Sequence, residues 1–119
     1  MRRYREKLSR ALLDRFDLLL TVPRPRALDL AGAPGEASTP VRERVLGARR
    51  RLREQLPLRN DAADELLTRA VDRLPLSGRG RARVARVGAT IAALAGAQSV
   101  GPEHIGEALS YRPPRELTE

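Results

Sequence analysis

The sequence runs to 119 residues with a net charge of +8, 32% charged and 3% aromatic side chains, and no cysteine. That length fits one domain, and the shortage of aromatics means that any core must be aliphatic, as helical bundles commonly are. The missing cysteine excludes a disulfide framework, a thiolate metal site and a Cys nucleophile, which fits a reducing, cytoplasmic compartment.

Met1-Arg2-Arg3-Tyr4-Arg5 has the charge of a signal-peptide start, but Asp14, Arg15 and Asp17 interrupt the apolar stretch that should follow. Leu18 to Leu20 and Ile91 to Ala97 fall far short of the ~20 residues that a membrane span needs. A soluble protein with no membrane partner is expected. The cations are 22 arginines and one lysine, Lys7. Residues 1–53 carry 14 basic and six acidic side chains, whereas residues 54–119 carry nine of each, so all the excess lies in the first half. Such an excess attracts polyanions, DNA among them, although codon bias also enriches arginine.

In chain order, Leu18-Leu19-Leu20-Thr21-Val22 is a short apolar run ended by Pro23 and predicts one buried strand with no partner strand in the chain. Residues 23–40, with prolines at 23, 25, 34 and 40, predict a long loop or linker. Thr39 as N-cap and Pro40 at the first helical position open a helix whose apolar face is Val41, Val45, Ala48, Leu52 and Leu56, ended by Pro57. A second helix is predicted from Asp61 to Leu74, burying Leu66, Leu67, Ala70, Val71 and Leu74 before Pro75. Ser77 caps a third, running to about Ala95 with Val84, Val87, Ile91 and Leu94 on one stripe and Gly96 at C′. The fourth starts at Gly101-Pro102, with Val100 and Ile105 spaced as a hydrophobic staple, and stops at Pro113-Pro114. The expected fold is all-α, a four-helix bundle preceded by one orphan β-strand.

Three arginine clusters are candidates for chemistry. Arg15 lies in Leu12-Leu13-Asp14-Arg15-Phe16-Asp17-Leu18, at a corner between helix and strand that would hold a guanidinium rigidly toward an anion; the bland reading pairs it with Asp14 or Asp17 on the surface. In Leu76-Ser77-Gly78-Arg79-Gly80-Arg81-Ala82-Arg83-Val84-Ala85-Arg86, helical spacing groups Arg79, Arg83 and Arg86 beside the apolar stripe, while the glycines permit close approach at a helix start suited to phosphate. Arg49, Arg50, Arg51 and Arg53 are either a solvated helix face or a nucleic-acid contact. His104 is the only histidine and is read as a helix-surface residue with no partner for a metal site, and no phosphate-loop lysine appears.

Together these residues resemble a family. Tyr4-Arg5-Glu6-Lys7-Leu8-Ser9, then Leu12-Leu13-Asp14-Arg15-Phe16-Asp17-Leu18 and Val22-Pro23, are similar to the end of the AAA+ core of magnesium-chelatase-like ATPases. Val41-Arg42-Glu43-Arg44-Val45, Leu76-Ser77-Gly78-Arg79 and Val100-Gly101-Pro102-Glu103-His104-Ile105-Gly106-Glu107-Ala108-Leu109-Ser110-Tyr111-Arg112 resemble the lid of that family, in the same order. The nearest branch is that of the competence-linked branch-migration helicases. Arg10-Ala11 stands where the family usually has Gly-Pro, and Gly78-Arg79-Gly80 where it has Ala-Arg-Ala.

The resemblance implies that residues 1–22 end the AAA+ core, 23–40 link, and 41–119 form the helical lid. It implies that Arg15 is an arginine finger acting in trans and that Arg79 is the sensor-2 arginine of its own subunit. ATP and Mg are the cofactors implied for the complete protein, with none bound by this segment alone, whose Walker motifs would lie upstream; no catalytic activity is then expected of the segment by itself. The implied partners are the remaining AAA+ core, further copies in a hexamer, and DNA. The alternative is a stand-alone basic helical module that binds nucleic acid.

Overall fold

The computed structural model describes residues 10–13, 15–74 and 76–112. Tyr4 to Ser9, Asp14, Pro75 and Pro113-Pro114, all used in the sequence reading, lie outside them. The elements are α1 (Arg10–Leu13), α2 (Ala27–Ala31), α3 (Ser38–Glu54), β1 (Leu58–Arg59), α4 (Asp61–Arg73), α5 (Gly78–Leu94), β2 (Ser99–Val100) and α6 (Pro102–Ser110). The fold is all-α apart from the two-residue strands.

The four long helices occur where periodicity predicts them, with their ends adjusted by capping chemistry. α3 starts at Ser38, one residue before the expected cap, because Ala37 already has extended backbone. In α4 the cap is Asn60 rather than Asp61; its side-chain oxygen accepts from Ala63 N–H at 2.9 Å, leaving Asp61 and Asp64 in the first turn where they suit the helix dipole. Ser77 caps α5 as expected, its Oγ accepting from Gly80 N–H at 3.0 Å. At the other end Gly96 has φ of +69°, Gly96 N–H reaches Ala93 O at 3.1 Å, and Ala97 N–H reaches Ala92 O at 2.9 Å, a Schellman closure.

α5 is the central helix, packed against α3 and α6, while α4 packs on α6. The core joins Ala63 and Leu67 of α4, Val84, Val87, Ala89 and Ala92 of α5, Val100 of β2, and Ile105 and Ala108 of α6. Leu67, Val100 and Ile105 are fully buried, each adding roughly 1.5 to 3 kcal/mol relative to exposure. Val100 and Ile105, buried together at the start of α6, agree with the expected staple. A Cβ on Gly88 would come within 2.8 Å of Ile105 Cδ1, so this glycine sets how closely α5 and α6 approach.

Three expectations change. Leu18 to Val22 forms no strand: it has no regular secondary structure, Leu20 and Val22 are exposed, and Leu19 N–H donates to Tyr111 O at 2.8 Å. A strand requires a ladder, and this run has no neighbouring strand among the described residues. The strands that do form are β1 and β2, paired in parallel with Leu58 opposite Ser99 and Arg59 opposite Val100. This short bridge holds the starts of α4 and α6 side by side. The third change is the face of α3: Ala48 is its one buried residue among those described, while Val41, Val45 and Leu56 are exposed.

Residues 23–37 are exposed throughout and include α2, a single helical turn with Leu28 and Leu30 facing outward. Asp29 Oδ2 accepts from Arg26 N–H at 3.0 Å to close its start. Glu36 pairs bidentately with Arg44 at the entry to α3. Hydrogen bonding from Arg44 lowers the Glu36 carboxyl below its usual range, and Glu36 in turn raises Arg44, although both side chains are about half exposed. No helix among the described residues is long and apolar enough to cross a membrane.

Candidate functional site

Arg15 sits in a tight turn that follows α1. Its backbone N–H donates to Leu12 O at 3.0 Å, and Phe16 N–H donates to Leu13 O at 3.2 Å. Leu13, two residues before it, is 1% exposed and pins that side of the turn in the interior. On the other side Phe16 O accepts from Arg112 Nη1 at 2.9 Å, and Asp17 Oδ1 accepts from Arg83 Nη1 at 2.6 Å. The Arg15 residue itself is exposed. The surface pairing with Asp17 considered from sequence does not occur, because Asp17 is engaged by Arg83.

Arg79 occupies the second position of α5, exposed, between Gly78 and Gly80. The two glycines differ. Around Gly78 there is open space, whereas Gly80 is buried, and a Cβ there would lie 3.3 Å from Leu76 Cδ2 and 3.7 Å from Arg112 Nη2. The tight neighbour at Gly80 is therefore the protein's own Leu76. Arg83 follows Arg79 by one helical turn, roughly 6 Å along the axis. Its side chain is only 23% exposed, and its Nε is buried without an acceptor among the described residues. Arg86, the third member of that stripe, is exposed. The fold thus fastens the Arg15 turn to the same end of α5 that carries Arg79.

Arg49, Arg50, Arg51 and Arg53 lie elsewhere. Arg51 Nη1 donates to Ala93 O at 2.7 Å, so this run meets the C-terminal end of α5, about 20 Å from Arg79 by helical rise. Arg51 is therefore part of the structure, its guanidinium lying against Gly96. Arg49, Arg50 and Arg53 are exposed. A groove of about 740 Å³ beside β1, lined by Leu52, Leu56, Leu58, Ala85, Arg86 and Ala89 among others, includes Arg86 but none of Arg15, Arg79, Arg49, Arg50, Arg51 and Arg53.

His104 corrects the surface reading. It is 8% exposed, and its Nδ1 accepts from Gly101 N–H at 2.9 Å, which closes the start of α6 and leaves the ring proton on Nε2. Glu103, 3.8 Å from the same nitrogen, is too far for a hydrogen bond. The Asp17–Arg83 and Arg112–Phe16 contacts, 66 and 96 residues apart in sequence, are the site features that sequence reading missed. The available signals were indirect: Arg83 on the border of the apolar stripe, and an acidic residue two positions after Arg15.

Comparison with known proteins places the chain in a family. Residues 50–112 match the family model that describes the C-terminal part of the magnesium chelatase ChlI subunit. Competence protein ComM of Haemophilus influenzae is 37% identical over 92% of this chain and 25% of its own length. An uncharacterized protein of Mycobacterium tuberculosis is 38% identical over 93% of the chain and 26% of its own length. The uncharacterized protein YifB of Escherichia coli is 34% identical, with 92% and 25% covered. The chain spans about a quarter of the length of these curated relatives. No solved structure matches it. By the family model and by these relatives, the chain belongs to the family of magnesium chelatase ChlI C-terminal domains.

Proposed function

We propose that this chain is the C-terminal lid portion of a magnesium-chelatase-like AAA+ ATPase, with residues 1–22 ending the ATPase core, 23–40 linking and 41–119 forming the lid. Arg15 is its arginine finger, directed in trans at the nucleotide of a neighbouring subunit, and Arg79 is the sensor-2 arginine of its own subunit's nucleotide. The carrying observation is the mounting of Arg15: an exposed residue in a turn pinned by buried Leu13 before it and by Phe16 and Asp17 after it. A cation fixed in place before the reaction stabilises developing charge without reorganising.

ATP with Mg²⁺ would supply a phosphoryl group whose transfer to water spreads negative charge over its oxygens. The residues fit that demand on the protein side. Arg15 and Arg79 are exposed, and neither side chain makes an ion pair with a described residue, whereas Arg26, Arg44, Arg59 and Arg83 are each paired with a carboxylate. The setting that we propose is a hexamer in the cytoplasm acting on DNA, in branch migration during transformation; of this, a likeness to a protein named for competence supports the link to transformation.

The test is made in the complete ATPase that contains this sequence. Arg15→Ala should leave ATP binding intact and lower hydrolysis by about 10³-fold or more. Mixing those subunits with others that keep Arg15 but carry a disabled phosphate loop should restore part of the rate, because each variant then completes the other's site. A hexamer of Arg15→Ala subunits that hydrolyses ATP at the full rate would overturn the assignment.

A further inference from the structure

We propose that Arg83, Asp17 and Arg112 form a positioning clamp that holds the Arg15 turn at a fixed place on the helix carrying Arg79, so that the two phosphate-directed guanidiniums keep one spacing; this rests on the roles assigned above to Arg15 and Arg79. Two consecutive residues just after Arg15 are gripped by guanidiniums from different helical regions. Phe16 O receives Arg112 Nη1 at 2.9 Å, from the end of α6, and Asp17 Oδ1 receives Arg83 Nη1 at 2.6 Å, from α5. A third tie, Leu19 N–H to Tyr111 O at 2.8 Å, fixes the direction in which the chain leaves. Two grips and a direction leave the turn little freedom to translate or rotate.

The pair differs from an ordinary surface ion pair, which contributes little. Arg83 is mostly buried, its Nε has no acceptor among the described residues, and an arginine cannot shed its charge there. Asp17, itself 42% exposed, is its carboxylate partner, so separation leaves a partly desolvated cation uncompensated and the joined state is favoured. Arg83 lies one turn from Arg79. Contact of Arg79 with the nucleotide of its own subunit is thereby passed, through a rigid body, to the finger that serves the next subunit.

The clamp is tested first without nucleotide. The chain has no cysteine, so Arg15→Cys and Arg79→Cys introduce two unique sites for spin labels. Their distance distribution by double electron–electron resonance should be narrow, should broaden with Asp17→Asn or Arg83→Gln, and should narrow again when Asp17→Arg is combined with Arg83→Asp. A broad distribution in the parent, or one that Asp17→Asn leaves narrow, overturns the clamp. In the complete ATPase, Asp17→Asn should lower kcat by about 10- to 100-fold with KM for ATP unchanged, since misplacing a catalytic group costs rate rather than binding. The charge exchange should recover much of that loss, and an unchanged kcat in Asp17→Asn would also overturn the clamp. The two readings fail separately: full activity in Arg15→Ala removes the finger while the label distances stand.

Discussion

The side chains that fix this molecule are small, and Gly88 is the clearest case. Its missing Cβ would meet Ile105 Cδ1 at 2.8 Å in the most tightly buried part of the α5–α6 contact. Gly88→Ala gains about 1 kcal/mol of helix propensity but overpacks a site where Ile105 has nowhere to retreat, at a cost of about 1 to 3 kcal/mol. The expected outcome in urea unfolding is a net loss of about 1 kcal/mol, with Ile105→Val relieving part of it in the double variant. Gly47 is the control: it lies inside α3 with open space around its Cβ position, so Gly47→Ala should stabilise by about 0.5 to 1 kcal/mol. Equal effects at the two positions would contradict the packing described. His104 belongs to the same scale, because a histidine in the first turn of α6 reads as a solvent-facing residue until its Nδ1 is seen closing the helix start.

Among the elements, α3 is held less by its apolar face than by a charge. Only Ala48 is buried, yet Arg51 reaches across to Ala93 O at 2.7 Å, where the same carbonyl also accepts from Gly96 N–H in the Schellman closure. Arg51 therefore supplies a cation to the negative end of α5 and a link between the two helices. Arg51→Ala should lower stability by about 1 to 2 kcal/mol, whereas Arg50→Ala, at an exposed neighbour, should change it by less than about 0.5 kcal/mol. Indistinguishable unfolding midpoints for the two variants would refute the link. At this scale the sequence was readable where period and caps agree: Ser77, Gly96, and the pair Val100 and Ile105 mark the ends of α5 and α6 directly. It was misread where the signal is non-local. Leu18 to Val22 has strand composition but no neighbouring strand among the described residues, and β1 and β2, two residues each, are too short to leave any period. The buried band of α5 is also wider than its Val and Ile stripe, because Gly88, Ala89, Ala92 and Ala93 carry too little hydrophobic signal to mark a face.

For the whole molecule, the two ends of α5 divide the arginines into groups with different tasks. The N-terminal end collects Arg79, Arg83 and the tethered Arg15 turn; the C-terminal end faces the run from Arg49 to Arg53. The roles proposed for Arg15 and Arg79 rest on the sequence motifs around them, whereas the contacts that connect their elements join residues far apart in the chain and leave no local trace. The net charge of +8 does not separate these groups, but hydrogen bonding does. Arg51 is committed to Ala93, while Arg49, Arg50 and Arg53 are exposed and none forms an ion pair with a described residue. If DNA is the polyanion that the excess charge serves, these three are the phosphate contacts, and each should account for about 0.9 in the slope of log affinity against log salt. Replacing Arg49, Arg50 and Arg53 together by alanine should therefore flatten that slope by about 2 to 3 and weaken binding uniformly across sequences, as non-specific backbone contacts do. Fluorescence anisotropy with a labelled duplex over a salt series measures both quantities on this chain. An unchanged slope in the triple variant, or no binding by the parent chain at low salt, would remove DNA from this face and leave its arginines as a solvated surface.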